Sequence, residues 1–360
     1  AKPLSFNDGG DHVLSGEVVE AVNTPYIPTT SVNNNTSLSI SDSEVKTSSV
    51  YAFGILSENN SRVSLGNSKV ISTGSLSFAV AAKDAGIVNI SNSEILSDNK
   101  SYSAVVSNGK DSQIILRDSK ITSSSSSGSE SIQTAALTAE FDGALDIAGT
   151  EILTTGDYSA GVYLQEQGRG TLNETTVTTV ADKSSGIKAI SNSVMNANKI
   201  NISTSGNGSE AVTVESGSKI VIADANIETK GISNGINAVH ERTDVLVSGS
   251  TIVTHAETAT GVFSGGQAKV TLSDTSVITN GNGSYAVSAN GNDSLVLIEN
   301  SMIKTTGGKD SYENSANAVV SEFGGDIILK GKNSVSTSGD FATGLMSQVS
   351  GAHSDTEVGS

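Results

Sequence analysis

The chain has 360 residues, a formal net charge of −17, no cysteine, no tryptophan and only 4% aromatic residues. Such acidity argues against nucleic acid or an anionic membrane surface as partner, because both call for clustered Lys and Arg; the missing cysteines exclude disulfides. With 36% hydrophobic residues the chain is too apolar for disorder, yet it lacks the large aromatics of an ordinary core, so a narrow core assembled from many small layers is expected.

Residues 1–28, with "NDGGDHVLSGEVVEAV", are expected to form an N-terminal cap and first rung. A small residue followed by an aliphatic one then recurs along the chain. Thr29 is a weak first anchor. Gly54-Ile55, Ala79-Val80, Ala104-Val105, Ala136-Leu137, Gly161-Val162, Gly186-Ile187 and Ala211-Val212 follow, and Gly235-Ile236, Gly261-Val262, Ala286-Val287, Ala318-Val319 and Gly344-Leu345 complete the series. The spacings are 25, 25, 25, 32, 25, 25, 25, 24, 26, 25, 32 and 26 residues. That is a tandem repeat interrupted by two insertions of equal length.

Within each unit the apolar positions fall into three groups. The first follows the anchor. The second alternates i, i+2, as in Val88/Ile90, Ile220/Ile222 and Val270/Leu272, which reads as a strand with one buried face. The third is a β-branched residue such as Val70, Ile95, Val177 or Ile227. Val, Ile and Thr favour strands, and no helical periodicity of useful length is present. The expected fold is all-β: a three-sided parallel β-helix, a solenoid of about 25 residues per coil, spanning residues 29–360. Coils would stack at the ordinary strand spacing of roughly 4.8 Å. The end at "GAHSDTEVGS" has no evident cap, so further coils are expected beyond it.

The stretch "GSTIVTHAETATGVFSGGQAKVTLSDTSVITNGNGSYAVSANG" (249–291) resembles the passenger domains of pertactin-like autotransporters. The pattern "GVxxxxGxxVxLxxTxVxTxGxxxxAV" recurs along nearly the whole chain. The resemblance implies a right-handed, virulence-associated β-helix exported through a C-terminal outer-membrane β-barrel, a barrel that the sequence does not contain. It implies a location at the bacterial surface or secreted through the outer membrane. It also implies activity as an adhesin, autoaggregation or biofilm factor. Only the aliphatic rungs can be matched residue by residue, and their role is structural.

A search for chemistry finds little. His12, His240, His255 and His353 lack metal-ligand spacing, no cofactor motif appears, and "NGNG" (280–283) reads as turn chemistry. Carboxylates concentrate at the corner after the first strand. Asp142 and Glu166 fall at closely equivalent places in consecutive coils, the arrangement a retaining glycosidase would need. A solvated corner is charged for solubility in any case, so the chain is read as non-enzymatic, with no metal. As a binding surface, the same corner offers Lys110, Asp111, Asp142, Glu166, Glu215, Glu241, Arg242 and Asp244.

The leading expectation is an adhesin that binds a host extracellular-matrix protein or glycan, such as fibronectin or a glycosaminoglycan, through polar contacts along this ridge. Self-association is the alternative, and a polysaccharide-degrading enzyme ranks below both. Membrane attachment is expected only through the absent barrel. The two 32-residue coils, "SYSAVVSNGKDSQIILRDSKITSSS" (101–125) and "SYAVSANGNDSLVLIENSMIKTTGG" (284–308), are near-twins. Each sprouts its insertion after the third strand, at 122–134 and 305–317, and these form a second candidate surface.

Overall fold

A computed structural model describes residues 2–98, 102–129, 133–348 and 355–358. Among them there is no helix, so no helix is long and apolar enough to cross a membrane. The chain divides into two compact units, Ala1–Ser184 and Ser185–Ser360. In each unit, successive turns of chain lay one short strand on each of three parallel sheets, as the periodicity predicts. The chain is a three-sided parallel β-solenoid.

In unit 1 the first side runs from Leu4–Phe6 and Thr30–Val32 to Thr134–Glu140 and Ser159–Gln165. The second side runs from Asp11–Ser15 to Arg169–Asn173 and the third from Val18–Ala21 to Thr176–Thr179. Residues 4–21 therefore already make a full coil, paired in parallel with the next one. In unit 2 the three sides begin at Ile187–Ala189, Val194–Asn198 and Asn201–Thr204. They end at Leu345–Gln348, Asp355–Val358 and Ser334–Thr337.

The register places like on like. On the third side of unit 1, Val19, Val45, Val70, Ile95, Ile121, Ile152 and Val177 form one buried column. In unit 2 the same side stacks Ile202, Ile227, Ile252, Val277 and Ile303. Fully burying each such side chain contributes about 1.5–3 kcal/mol. The core is thus a set of aliphatic columns and needs no aromatic residue. Serines and threonines fill the inner corners, and their hydroxyls tie coil to coil. Ser43, Ser68 and Ser93 each donate their backbone N–H to the hydroxyl of the next coil's serine at 3.1 Å.

The insertion in unit 2 folds back on its own unit. Asp310 is only 6% exposed and accepts hydrogen bonds from the Tyr312 and Asn314 backbones at 2.9 and 2.8 Å and from the Asn314 amide at 3.0 Å. Burial pushes the Asp310 carboxyl up, but these hydrogen bonds outweigh it and hold the group below the usual aspartate range. Ser311 then donates to Glu257 through its N–H at 2.9 Å and its hydroxyl at 3.3 Å. Residues 130–132 of the first insertion lie outside the described residues.

Candidate functional site

The corner between the first and second sides is built by backbone conformation before side-chain chemistry. Most coils turn it with two successive residues in the left-handed region. In unit 1 these include Asn34 and Asn35 (φ 61° and 55°), Asn59 and Asn60 (52° and 61°), Phe141 and Asp142 (50° and 66°), and Glu166 and Gln167 (44° and 60°). Asn and Asp tolerate this region, whereas bulky side chains there are outliers. Behind the turn stands either a buried hydroxyl or a glycine. The Ser112 hydroxyl donates to the Asn108 carbonyl at 2.8 Å and accepts the Ala85 N–H at 3.1 Å. At Gly143 a Cβ would collide with the Ser107 carbonyl of the coil before it, so only glycine fits.

The structure sorts the ridge residues expected from sequence. In unit 1, Lys110, Asp111, Asp142 and Glu166 all sit exposed in these turns, and the Asp142 N–H donates to the Glu166 carbonyl at 3.3 Å. Their side chains are not in one column, however. Glu140 pairs with Gln165, so Phe141 is the coil equivalent of Glu166. Asp142 and Glu166 are 24 residues apart, one short of the 25-residue step, and that single-position offset puts their side chains in neighbouring columns. In unit 2, Glu215 is half-buried at a strand end, and Glu241 and Arg242 are exposed in a turn with a 3.9 Å approach. Such an exposed pair contributes little stability. Asp244 lies beyond the corner, as the first residue of Asp244–Ser248 on the second side, between Lys219 and Lys269 in register.

The histidines behave as surface groups. His12 pairs with Asp8 at 2.8 Å, His240 Nδ1 lies 3.1 Å from the Ser216 hydroxyl, and His255 pairs with Glu228 at 2.8 Å. His353 lies outside the described residues. The hydrogen bond from His12, with one from the Gly10 backbone, holds the Asp8 carboxyl below its usual range against a small opposing burial effect. Among the described residues, no group of three or more His, Asp or Glu is placed to hold a metal ion.

Sequence reasoning missed a polar ladder at the same corner, one step inside the turn. In unit 1, Glu140 accepts from the Asn108 amide on Oε1 at 2.9 Å and from the Gln165 amide on Oε2 at 2.6 Å. The Tyr163 hydroxyl donates to Gln165 Oε1 at 3.0 Å. In unit 2, Glu322 accepts from Asn290 on Oε1 and from Gln348 on Oε2, both at 3.2 Å. Hydrogen bonds to an ionised carboxylate contribute about 1.5–3 kcal/mol each, which fixes the side chains across three coils. Burial, and then the charges of Glu322 and Asp310, push the Tyr285 phenol up. Each glutamate is followed by an exposed phenylalanine at positive φ, Phe141 and Phe323. The signal was available: "EFDG" (140–143) and "EFGG" (322–325) recur in the coil after each insertion. The eye is drawn to the twin coils themselves, not to their successors.

Neither a protein-family model nor a curated protein sequence matches the chain. Among solved structures, it is similar to a chain in the cryo-EM structure of the Vag8–C1 inhibitor complex, at 14% identity and a TM-score of 0.55 over 96% of each chain. It is also similar to the periplasmic alginate epimerase AlgG, at 13% identity and a TM-score of 0.46 over 95% of this chain and 78% of that one. At these identities the first likeness establishes the solenoid fold alone, and the second bears on neither site nor reaction.

Proposed function

We propose that the chain is a non-enzymatic bacterial adhesin, displayed at the cell surface or secreted, that binds a host extracellular-matrix protein or glycan along the first corner. The observation that carries this reading is the corner's construction. Coil after coil in each unit turns it with residues in the left-handed region and sets polar or charged side chains outward at the strand repeat. A periodic array of this kind offers many weak contacts to an extended partner. The pertactin-like resemblance of 249–291 and the fold shared with a chain of the Vag8–C1 inhibitor complex fit this reading. A plate assay of the purified chain against fibronectin, other matrix proteins and glycosaminoglycans tests it. Binding to at least one, weakened when Lys110, Asp111, Asp142 and Glu166 are made Ser together, is expected. No binding to any of them would overturn it.

Self-association is favoured by a different observation. On the second side of unit 2 the outward column Val221, Leu246, Thr271, Leu297 and Ile328 is mostly apolar, and Val221 and Leu246 are 43% and 42% exposed. The neighbouring column reads Lys219, Asp244, Lys269. Run in opposite order against itself, that column sets Asp244 against Lys269 twice. Light scattering over a concentration series, with Leu246→Lys as the disrupting variant, separates a dimer from a monomer.

A further inference from the structure

The two insertion-bearing segments allow an internal comparison. Aligned from Ala104 and Ala286, residues 104–165 and 286–348 carry the same coils in unit 1 and unit 2. Their outward strand positions have drifted apart. On the second side Gln113, Arg117 and Asp146 stand against Leu295, Glu299 and Ile328; on the third, Lys120 and Glu151 stand against Met302 and Ser334. Even on the corner, the counterpart of Lys110 is Asn292 and that of Asp142 is Gly324. On the first corner both segments keep Asn108/Asn290, Asp111/Asp293, Glu140/Glu322, Phe141/Phe323 and Gln165/Gln348, together with the glycines and serines that shape the turns; away from it they also keep the exposed pair Asp157/Asp340, followed by Tyr158 and Phe341 at positive φ.

Turn geometry accounts for part of this set. Asp111 and Asp293 occupy left-handed positions (φ 64° and 63°) that suit aspartate. It does not account for the phenylalanines. Phe141 and Phe323 are 54% and 43% exposed and sit at φ 50° and 53°. A bulky residue in that region costs on the order of 1–2 kcal/mol, and an exposed ring regains little of it by burial. Asparagine would serve the backbone better, as it does at Asn34 and Asn59 in the same turn. Backbone strain retained in two copies, beside a rigid carboxylate, points to recognition.

We infer that this Asn–Glu–Phe–Gln corner, present once in each unit, is a docking site for the guanidinium groups of a basic segment on a protein partner. The chemistry selects the ligand. Each ladder amide spends one of its two N–H groups on the glutamate, and against the one that remains stand the other carboxylate lone pairs, the side-chain oxygen of Asn108 or Asn290, and the carboxylate of Asp111 or Asp293, so acceptors outnumber donors. A neutral hexose carries no charge to set against these carboxylates. A planar, donor-rich cation matches carboxylate oxygens bidentately and stacks on an aromatic face. The chain's net charge of −17 steers basic partners toward it. The inference sharpens the binding reading above and rests on it only for the biological identity of the partner.

The test uses the whole chain in about 0.15 M salt, where diffuse surface attraction is screened. Labelled octa-arginine and octa-lysine peptides are the probes. The Phe141→Asn/Phe323→Asn variant removes both rings while suiting the turn, and Glu151→Gln, on the outward third side, controls for general charge. The parent should bind octa-arginine more tightly than octa-lysine. The double variant should lose about tenfold in affinity for octa-arginine, each single variant less, and Glu151→Gln almost nothing. Unfolding midpoints of the double variant should equal or exceed the parent's. Parent-like binding by the double variant, an equal loss in Glu151→Gln, or displacement of the peptide by a neutral hexose oligomer would each overturn the proposal. Peptide binding without binding to any matrix protein or glycan would sink the adhesin reading and leave the corner assignment standing.

Discussion

The two units share an interior and differ in what they show to solvent. On the third side of unit 1, Glu44, Lys69, Glu94, Lys120 and Glu151 alternate in sign down one outward column. The equivalent column of unit 2 is Asn201, Asn226, Thr251, Ser276, Met302 and Ser334, without a charge. Unit 1 stacks Phe53, Phe78 and Tyr102 at ring distances of 5.6 and 4.9 Å. Phe53 and Phe78 also pack against Leu56, Ala81 and Val106, a small buried apolar cluster on the first side. The second side of unit 2 instead carries the Val221–Ile328 apolar column. Inward positions are held by the need to stack aliphatics, while outward positions are free to specialise. The corner ladder departs from that rule, because it faces outward and is nonetheless the same in both units.

Breaking the shared interior should have the largest effect, and an equal one in the two units. Ile121→Ala in unit 1 and Ile252→Ala in unit 2 each remove a fully buried side chain from a column, and should cost about 2–5 kcal/mol in urea unfolding. A cost confined to one unit would show that the columns are not equivalent. Phe78→Ala, which takes the middle ring out of the unit 1 stack, should cost about 1–3 kcal/mol. The single half-buried Tyr285 of unit 2 should lose less when made Ala. Neutralising Glu94 to Gln should change stability by less than about 1 kcal/mol, and high salt should abolish the difference.

The insertion of unit 2 gives a pH-dependent arm of the comparison. Because the Asp310 carboxyl is held below its usual range, its contribution is complete above the ordinary aspartate pKa. It is lost as pH falls through the lowered value. Amide exchange in residues 309–315 should therefore stay slow at neutral pH and speed up only in strong acid. Asp310→Asn should show fast exchange at all pH values. Slow exchange in that variant would mean that Ser311 and Glu257 hold the loop without the aspartate.

The sequence announced most of this fold because one period served every layer. The i, i+2 alternation at Val88/Ile90 or Val270/Leu272 marks inward strand positions, and each is buried in the structure. The corner was harder to read. Counting from anchors located Lys110, Asp111, Glu241 and Arg242 in turns, but reading Asp142 and Glu166 as closely equivalent passed over their one-residue offset from the anchors, with Phe141 in the matching position, and Asp244, placed on the ridge, opens a strand. Side-chain direction within a turn depends on its φ values, which composition does not report. The ladder escaped because its partners are 25, 26 or 32 residues apart, a spacing that only the register makes local.

Hydrogen–deuterium exchange of the whole chain, with and without saturating octa-arginine peptide, tests the central claim most directly. The account predicts protection in two places together, residues 108–112 with 140–143 and residues 290–294 with 322–325, and little change elsewhere. Protection confined to a groove of unit 1 where the chain passes from the second side to the third, around Asp42, Glu44, Lys69 and Glu94, or spread evenly over the acidic surface, would contradict it.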